Sequence, residues 1–369
     1  MKRLLLVGGG HAHVEVLRSF GEQRLDGAEV VVATPYPWLT YSGMVPGFVA
    51  GHYAIDDCTI DVARVAARAK ATLVLSPVMS MDAAARTITC ANGTQLAYDV
   101  ASLDVGSQSP VTLAAGVEQY AILLRPLERM VKGWNDVMAR ARLGSVRSVT
   151  MVGAGAAGVE LALAMHHRFR TELGEDAPHV RVLGDASMPL PEFNAGARAR
   201  LVVEMERRRM EAHHGSRVVE VGVGYVHLDN GLEFATDAVF WAAGSAAHAW
   251  IASSGVATDA NGYLLTNDLL QSVSHPAVFG VGDCATEQGR PLPKAGVFSV
   301  RAGPALANNL RAAIAGRPLQ PHLTSRRYLA LVSTGDRYAV ATWDGLSWEG
   351  AWVWRWKDRI DRRFVERYR

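Results

Sequence analysis

The chain has 369 residues, 49% of them hydrophobic and 20% charged, with a formal net charge of +2. That length holds two or three domains, and that balance describes a soluble globular protein with a sizeable core. The near-neutral charge excludes a general nucleic-acid binder, and three cysteines without a Cys-x-x-Cys exclude a disulfide framework and a zinc ribbon.

The first apolar run, Leu4 to Val7, is too short for a signal peptide, and no run approaches the roughly 18 apolar residues of a transmembrane helix. A cytoplasmic protein is expected, free or peripheral on the inner face of the cytoplasmic membrane. The run reads as a buried parallel strand. It enters Gly8-Gly9-Gly10-His11-Ala12-His13, a tight turn into a helix starting near Ala12. Gly8 and Gly10 match the first two glycines of G-x-G-x-x-G, whose bare backbone lets N–H groups approach a pyrophosphate at a helix N-terminus. His13 stands where the third glycine allows close helix–strand packing, so this helix is expected to sit slightly further out.

Residues 29–34 read as the second strand. Thr34 stands near the position where an acid commonly bonds the adenosine ribose, and it offers a neutral, weaker hydroxyl. Residues 35–51 form a glycine- and proline-punctuated aromatic loop. It either packs over a cofactor ring or lies on the surface with an apolar underside. A helix is expected over 61–71 and a strand over 72–78. Asn92-Gly93 marks a hairpin between 87–90 and 94–96. Residues 98–107 read as a strand ending in a glycine turn at Gly106, and 126–142 as a helix.

The opening motif then returns complete. Residues 149–152 lead into Gly153-Ala154-Gly155-Ala156-Ala157-Gly158, followed by a helix that carries Glu160. Two such units are far more specific than one. The second strand of this unit, 180–183, is followed by Gly184 and Asp185. Asp185 could bond a ribose 2′-hydroxyl, which favours NADH over NADPH. A helix is expected over 195–212, with Arg207 to Arg209 as its solvated face. Strands are expected around Asp229-Asn230-Gly231, and 239–244 repeats the strand-to-glycine ending at Gly244. The strand at 278–281 delivers Gly282 and Asp283, a glycine that clears phosphates and an acid suited to a ribityl hydroxyl. A long helix from about Gly296 to Ala315 has an N-terminus that carries positive charge. The tail, 343–369, holds Trp343, Trp348, Trp352, Trp354 and Trp356 and an excess of basic residues. Trp352, Trp356, Ile360 and Phe364 recur every fourth residue, a helical apolar stripe. The histidine pairs at 11/13, 166/167 and 213/214 lack a convergent third ligand, so no metal is expected.

These motifs resemble the two-dinucleotide-domain flavoproteins of the pyridine nucleotide-disulfide oxidoreductase superfamily, in its type II NADH:quinone oxidoreductase branch. Gly-Gly-Gly-His-Ala-His-Val, Tyr-Ser-Gly-Met-Val-Pro-Gly, Ser-Leu-Asp-Val-Gly-Ser and Pro-Lys-Ala-Gly-Val-Phe-Ser-Val-Arg are further similar to a subfamily found fused to selenide, water dikinase. The resemblance spans nearly the whole chain, which carries no kinase domain. It implies an α/β fold of two Rossmann-like dinucleotide-binding domains. The FAD domain (1–115 and 262–320) would be split by an inserted NAD(P)H domain (116–261), and 321–369 would form a short C-terminal cap.

The resemblance also implies site roles. Gly8, Gly10, His11 and Ala12 would line the FAD pyrophosphate. Thr34 would face the ribose, Val78 the adenine through its backbone, and Gly282 and Asp283 the phosphates and ribityl chain. Lys294 and Ala295 would flank the flavin pyrimidine edge, and Gly106 the turn beside it. Gly153, Gly155, Ala156 and Gly158 would hold NADH or NADPH, with Gly244 closing that site. Glu160 and Lys294 are the candidate catalytic residues. The reactive cysteine pair of disulfide reductases would fall at Tyr41-Ser42-Gly43-Met44-Val45-Pro46, where no thiol stands. Electrons from NAD(P)H would therefore pass through FAD without a dithiol to a quinone-like acceptor. A soluble acceptor (an electron-transfer protein or a selenium or sulfur species) and a slowly turning-over flavin sensor or assembly partner are the alternatives. The tail could touch an anionic membrane surface or roof the acceptor site. The sequence leaves the oligomeric state open.

Overall fold

The computed structural model describes all residues, Met1–Arg369. In chain order the elements that matter here are β1 (Lys2–Val7), α1 (His11–Glu22), β2 (Ala28–Thr34), β3 (Thr72–Leu75), β4 (Val100–Leu103), β5 (Ala121–Leu123) and α2 (Leu127–Arg142). Then come β6 (Ser148–Val152), α3 (Ala156–Leu173), β7 (His179–Gly184), α4 (Ala195–Arg207), β8 (Glu211–His214) and β9 (Ala238–Trp241). The chain closes with β10 (Val278–Gly280), α5 (Gly296–Ala315), β11 (Ala330–Ser333), β12 (Ala339–Trp343), β13 (Leu346–Gly350) and α6 (Ala351–Glu366).

Two parallel five-stranded sheets have the same plan. One runs β10-β4-β1-β2-β3 and the other β5-β9-β6-β7-β8. Their central strands are continuous apolar runs because helices and small antiparallel sheets cover both faces. Register fixes what emerges at the edge. Val7 pairs with Ala33 and Leu103, so Gly8, Thr34 and Asp104 leave the first sheet together. Val152 pairs with Leu183 and Trp241, which brings Gly153, Gly184 and Ala242 to the matching edge of the second. These are the carboxyl ends of the strands, where parallel α/β sheets bind dinucleotides.

Some expected elements differ. The helix expected over 195–212 ends at Arg207; Arg209 turns to φ +53, buried Met210 anchors the turn, and β8 pairs parallel to β7 as the sheet edge. Arg208 is not a solvated surface cation, for it bridges Glu204 and Asp336. The strand expected over 72–78 splits. Its first part is β3, and Val78–Asp82 opens an antiparallel sheet with Thr87–Cys90 and Gln95–Ala97. The aromatic loop has a buried underside, with Met44, Val45 and Val49 almost fully enclosed and Trp38 exposed. Val45 and Val49 share a core with Leu161 and Met165 of α3, so this loop joins the two units. No helix is long and apolar enough to cross a membrane.

The cap pairs β11-β12-β13 antiparallel and returns through α6 onto the first unit. The expected stripe divides. Trp352, Trp356 and Ile360 are 50%, 39% and 41% exposed, whereas Phe364 is buried with Val353, Lys357, Asp361 and Val365.

Candidate active site

The first cradle is the turn from β1 into α1. Gly8 has φ +95, and a Cβ there would lie 2.4 Å from the Asp104 carbonyl oxygen. A Cβ on Gly10 would lie 2.4 Å from the Asp104 carboxyl carbon. That carboxylate accepts from the N–H groups of Ala12 at 2.8 Å and His13 at 3.1 Å, and from the Ser299 hydroxyl at 3.4 Å. His13, at the third-glycine position, is fully buried. Its Nδ1 donates to the Gly8 carbonyl at 2.7 Å, and its Nε2 accepts from Ser102 Oγ at 2.8 Å. One donor and one acceptor are what a neutral imidazole offers. Burial pulls the His13 pKa down, in the same direction. In the second unit a Cβ on Gly158 would sit 1.9 Å from the Gly153 carbonyl, the counterpart of Gly8. The close approach that demands glycine there is replaced in the first unit by a hydrogen-bonded ring. Asp104 was not singled out in the sequence; its signal is an acid ending an otherwise apolar strand.

Around this turn, Thr34 donates to the Tyr36 carbonyl, its oxygen 3.2 Å from where a Gly9 Cβ would be. Val78 starts its strand just beyond β3. Gly106 has φ +67 and Gly282 φ +68. Asp283 is partly buried, accepts from Ser107 Oγ at 3.4 Å and faces Arg125 at 3.9 Å. His11 Nε2 is buried without a partner, and its ring contacts Tyr41 and Phe364. Lys294 is committed elsewhere. Its ammonium donates to the Ala285 carbonyl at 2.6 Å and Thr286 Oγ1 at 3.0 Å, and lies over the Tyr263 ring at 3.9 Å. Burial lowers its pKa. Ala295 caps α5.

The second cradle repeats the geometry. Gly153 has φ +113, and a Cβ there would meet the Ala242–Ala243 backbone within 2.9 Å. The Ala156 N–H is taken by Glu192 at 2.9 Å. Gly155 starts α3, Asp185 is exposed beyond β7, and Gly244 (φ +66) accepts from Arg125 at 3.3 Å.

Between the units lies a charged cluster the sequence did not announce. Glu160 of α3 accepts from the Ser333 N–H at 2.7 Å. Burial pushes its pKa up to about 7, against the opposing pull of Lys357 and the Ser333 bond. Lys357 donates to the Gly43 carbonyl at 2.5 Å and to Asp361 at 2.7 Å, and Tyr41 donates to Asp361 at 3.2 Å. Burial pulls Lys357 down, but the Asp361 and Glu160 carboxylates outweigh it and hold the ammonium charged. The face of α6 opposite its exposed tryptophans thus grips the Tyr41–Gly43 loop. In the sequence Lys357 and Asp361 were only charges of the tail.

The profile of the pyridine nucleotide-disulphide oxidoreductase family matches residues 2–309. The chain belongs to this family. It is 26% identical over 293 residues to an NADH dehydrogenase-like protein of Mycobacterium tuberculosis, covering 77% of this chain and 73% of that one. It is 22% identical over 184 residues to a type II NADH:quinone oxidoreductase of Haemophilus influenzae, covering 47% of this chain and 41% of that one. The structure of NDH2 from Plasmodium falciparum in complex with NADH superposes with a TM-score of 0.84 at 13% identity, covering 100% of this chain and 97% of that one.

As a family member the protein is an NADH dehydrogenase-like flavin oxidoreductase that binds FAD and NAD(H). The first cradle fits a flavin dinucleotide: glycines where a Cβ would block the turn, a helix N-terminus, and an unpartnered His11 nitrogen. The family's disulfide chemistry has no counterpart here. Cys58, Cys90 and Cys284 are free and buried. Burial pushes Cys58 and Cys284 up to about 12, which keeps their thiols protonated and unreactive.

Proposed function

We propose that this enzyme takes hydride from NADH and passes electrons from its flavin directly to a quinone-class acceptor. FAD would lie in the first cradle, along Gly8, Gly10, His11, Ala12, Thr34, Val78, Gly106, Gly282, Asp283 and Ala295. NADH would lie in the second, along Gly153, Gly155, Ala156, Gly158, Asp185 and Gly244. The flavin supplies hydride acceptance and electron release. The protein's part is to orient both dinucleotides, exclude water and handle protons. Quinone reduction takes up protons, and Glu160, with a pKa near neutrality beside the Lys357 charge, is suited to deliver them. Lys294, though bonded to Ala285 and Thr286, would favour reduced flavin as its anion if its ammonium turned toward the ring.

One observation carries the choice of acceptor. Trp352, Trp356 and Ile360 face solvent on the same helix whose other face supplies Lys357 and Asp361. Exposed tryptophans flanked by exposed Arg355, Arg359 and Arg363 suit an anionic lipid surface, at about 1 kcal/mol per well-placed charge. An acceptor dissolved in lipid would then arrive at the cluster. The test is anaerobic reduction by NADH and by NADPH, followed by reoxidation with a short-chain quinone, oxygen or a soluble electron-transfer protein. Quinone reoxidation that outpaces the others supports the reading; preference for a soluble acceptor replaces it.

A further inference from the structure

Asp104 takes up N–H donors at the helix N-terminus of the first cradle. It is 3% exposed, and its carboxylate holds two first-turn N–H groups of α1, those of Ala12 and His13. It lies close against the glycine backbone of the cradle. A Cβ on Gly10 would lie 2.4 Å from its carboxyl carbon, and one on Gly282 would lie 2.8 Å from Oδ1. These two cradle positions are glycines because the Asp104 side chain fills the space a larger residue would need. No lysine or arginine forms an ion pair with it. The groups that face it are His11 and His13 from α1, Cys284 from the turn after β10, and Ser299 from α5. Burial holds both histidines toward their neutral forms. The carboxylate is therefore met by the first-turn N–H groups of α1 and the Ser299 hydroxyl, with no cation beside it.

A pyrophosphate is held by that same helix end. With FAD bound, two anions share one set of donors in a water-poor site, and each is costlier for the other's presence. Without FAD, the carboxylate satisfies donors that would otherwise be buried unpaired. The second cradle differs, because Glu192 at the N-terminus of α3 is exposed and free to move aside.

We propose that Asp104 is a built-in anionic cap that keeps the flavin seat folded when empty and weakens its hold on FAD, so that the flavin is exchangeable. The test uses the full chain stripped of flavin. FAD affinity is measured by fluorescence quenching, and apoprotein Tm by thermal unfolding, for the wild type, Asp104→Asn and Asp104→Ala. Asparagine keeps the acceptor oxygen and removes the charge. Asp104→Asn should bind FAD about tenfold tighter or more, with an apoprotein Tm close to wild type. Asp104→Ala should lower the apoprotein Tm by several degrees, because the cap is lost. Equal or weaker FAD binding by Asp104→Asn overturns the proposal, since a merely structural cap gives that result. An unchanged Tm in Asp104→Ala overturns the folding half.

Discussion

Glu160, carried by α3, accepts from the Ser333 N–H of β11, and partial burial pushes its pKa up to about 7. Below that pH it is a proton donor; above it, a charge without a proton to give. The acceptor half-reaction should therefore slow as pH rises through about 7. Glu160→Gln should lower its rate by about a hundredfold and flatten that profile, as stopped-flow reoxidation across pH will measure. Stability follows the same shift. The folded carboxyl binds its proton more tightly than the ordinary value of 4.5, so its contribution is complete below that value and is lost as pH rises through about 7. The Tm advantage of Glu160→Gln over wild type should grow across that window. Lys357 and Asp361 make a second residue-scale case. Lys357→Met strands a buried carboxylate and should cost about 3–5 kcal/mol in urea unfolding, while Lys357→Met/Asp361→Leu recovers much of it. If the double variant is as unstable as the single, the pair is not what matters. The cradle glycines were legible in the sequence, because close approach and positive φ admit little else. Lys357 and Asp361 were not, because an i,i+4 ion pair on a basic helix looks the same solvated or buried.

At the scale of the element, α6 shows how a correct period can give an incomplete face. A residue step of 100° makes four residues about 40° more than a full turn. Three such steps rotate Phe364 about 120° from Trp352, enough to move it from solvent into the core beside Val365. The tail's helix was therefore legible, and the division of its stripe was not. The strands β11 to β13 were missed as well, since short runs with interspersed tryptophans carry little alternation. The exposed remainder sets a clean experiment. Replacing Trp352, Trp356 and Ile360 together by serine should abolish co-sedimentation with anionic liposomes at low salt, and should also lower Tm by a few degrees, because about half of each side chain is covered by the protein. Wild-type protein that stays in the supernatant refutes the membrane contact.

The whole molecule joins its ends around the flavin unit. Tyr368 is buried and donates to Glu15 of α1 at 3.0 Å, and Arg68 donates to the Arg369 carbonyl at 2.8 Å. The two parallel sheets were legible because buried parallel strands write themselves as unbroken apolar runs before glycine turns. The way α6 closes over both units was not, because it depends on contacts more than 300 residues apart, such as Lys357 with Gly43. The buried thiols of Cys58, Cys90 and Cys284 have a stoichiometric meaning. A flavoprotein with a neighbouring dithiol stores two electron pairs, one on the ring and one on sulfur. This chain can store a single pair, so each hydride must be discharged before the next is accepted. A reductive titration of the holoenzyme should end after one equivalent of NADH per flavin, and a second equivalent consumed would reveal a sulfur couple the fold does not offer.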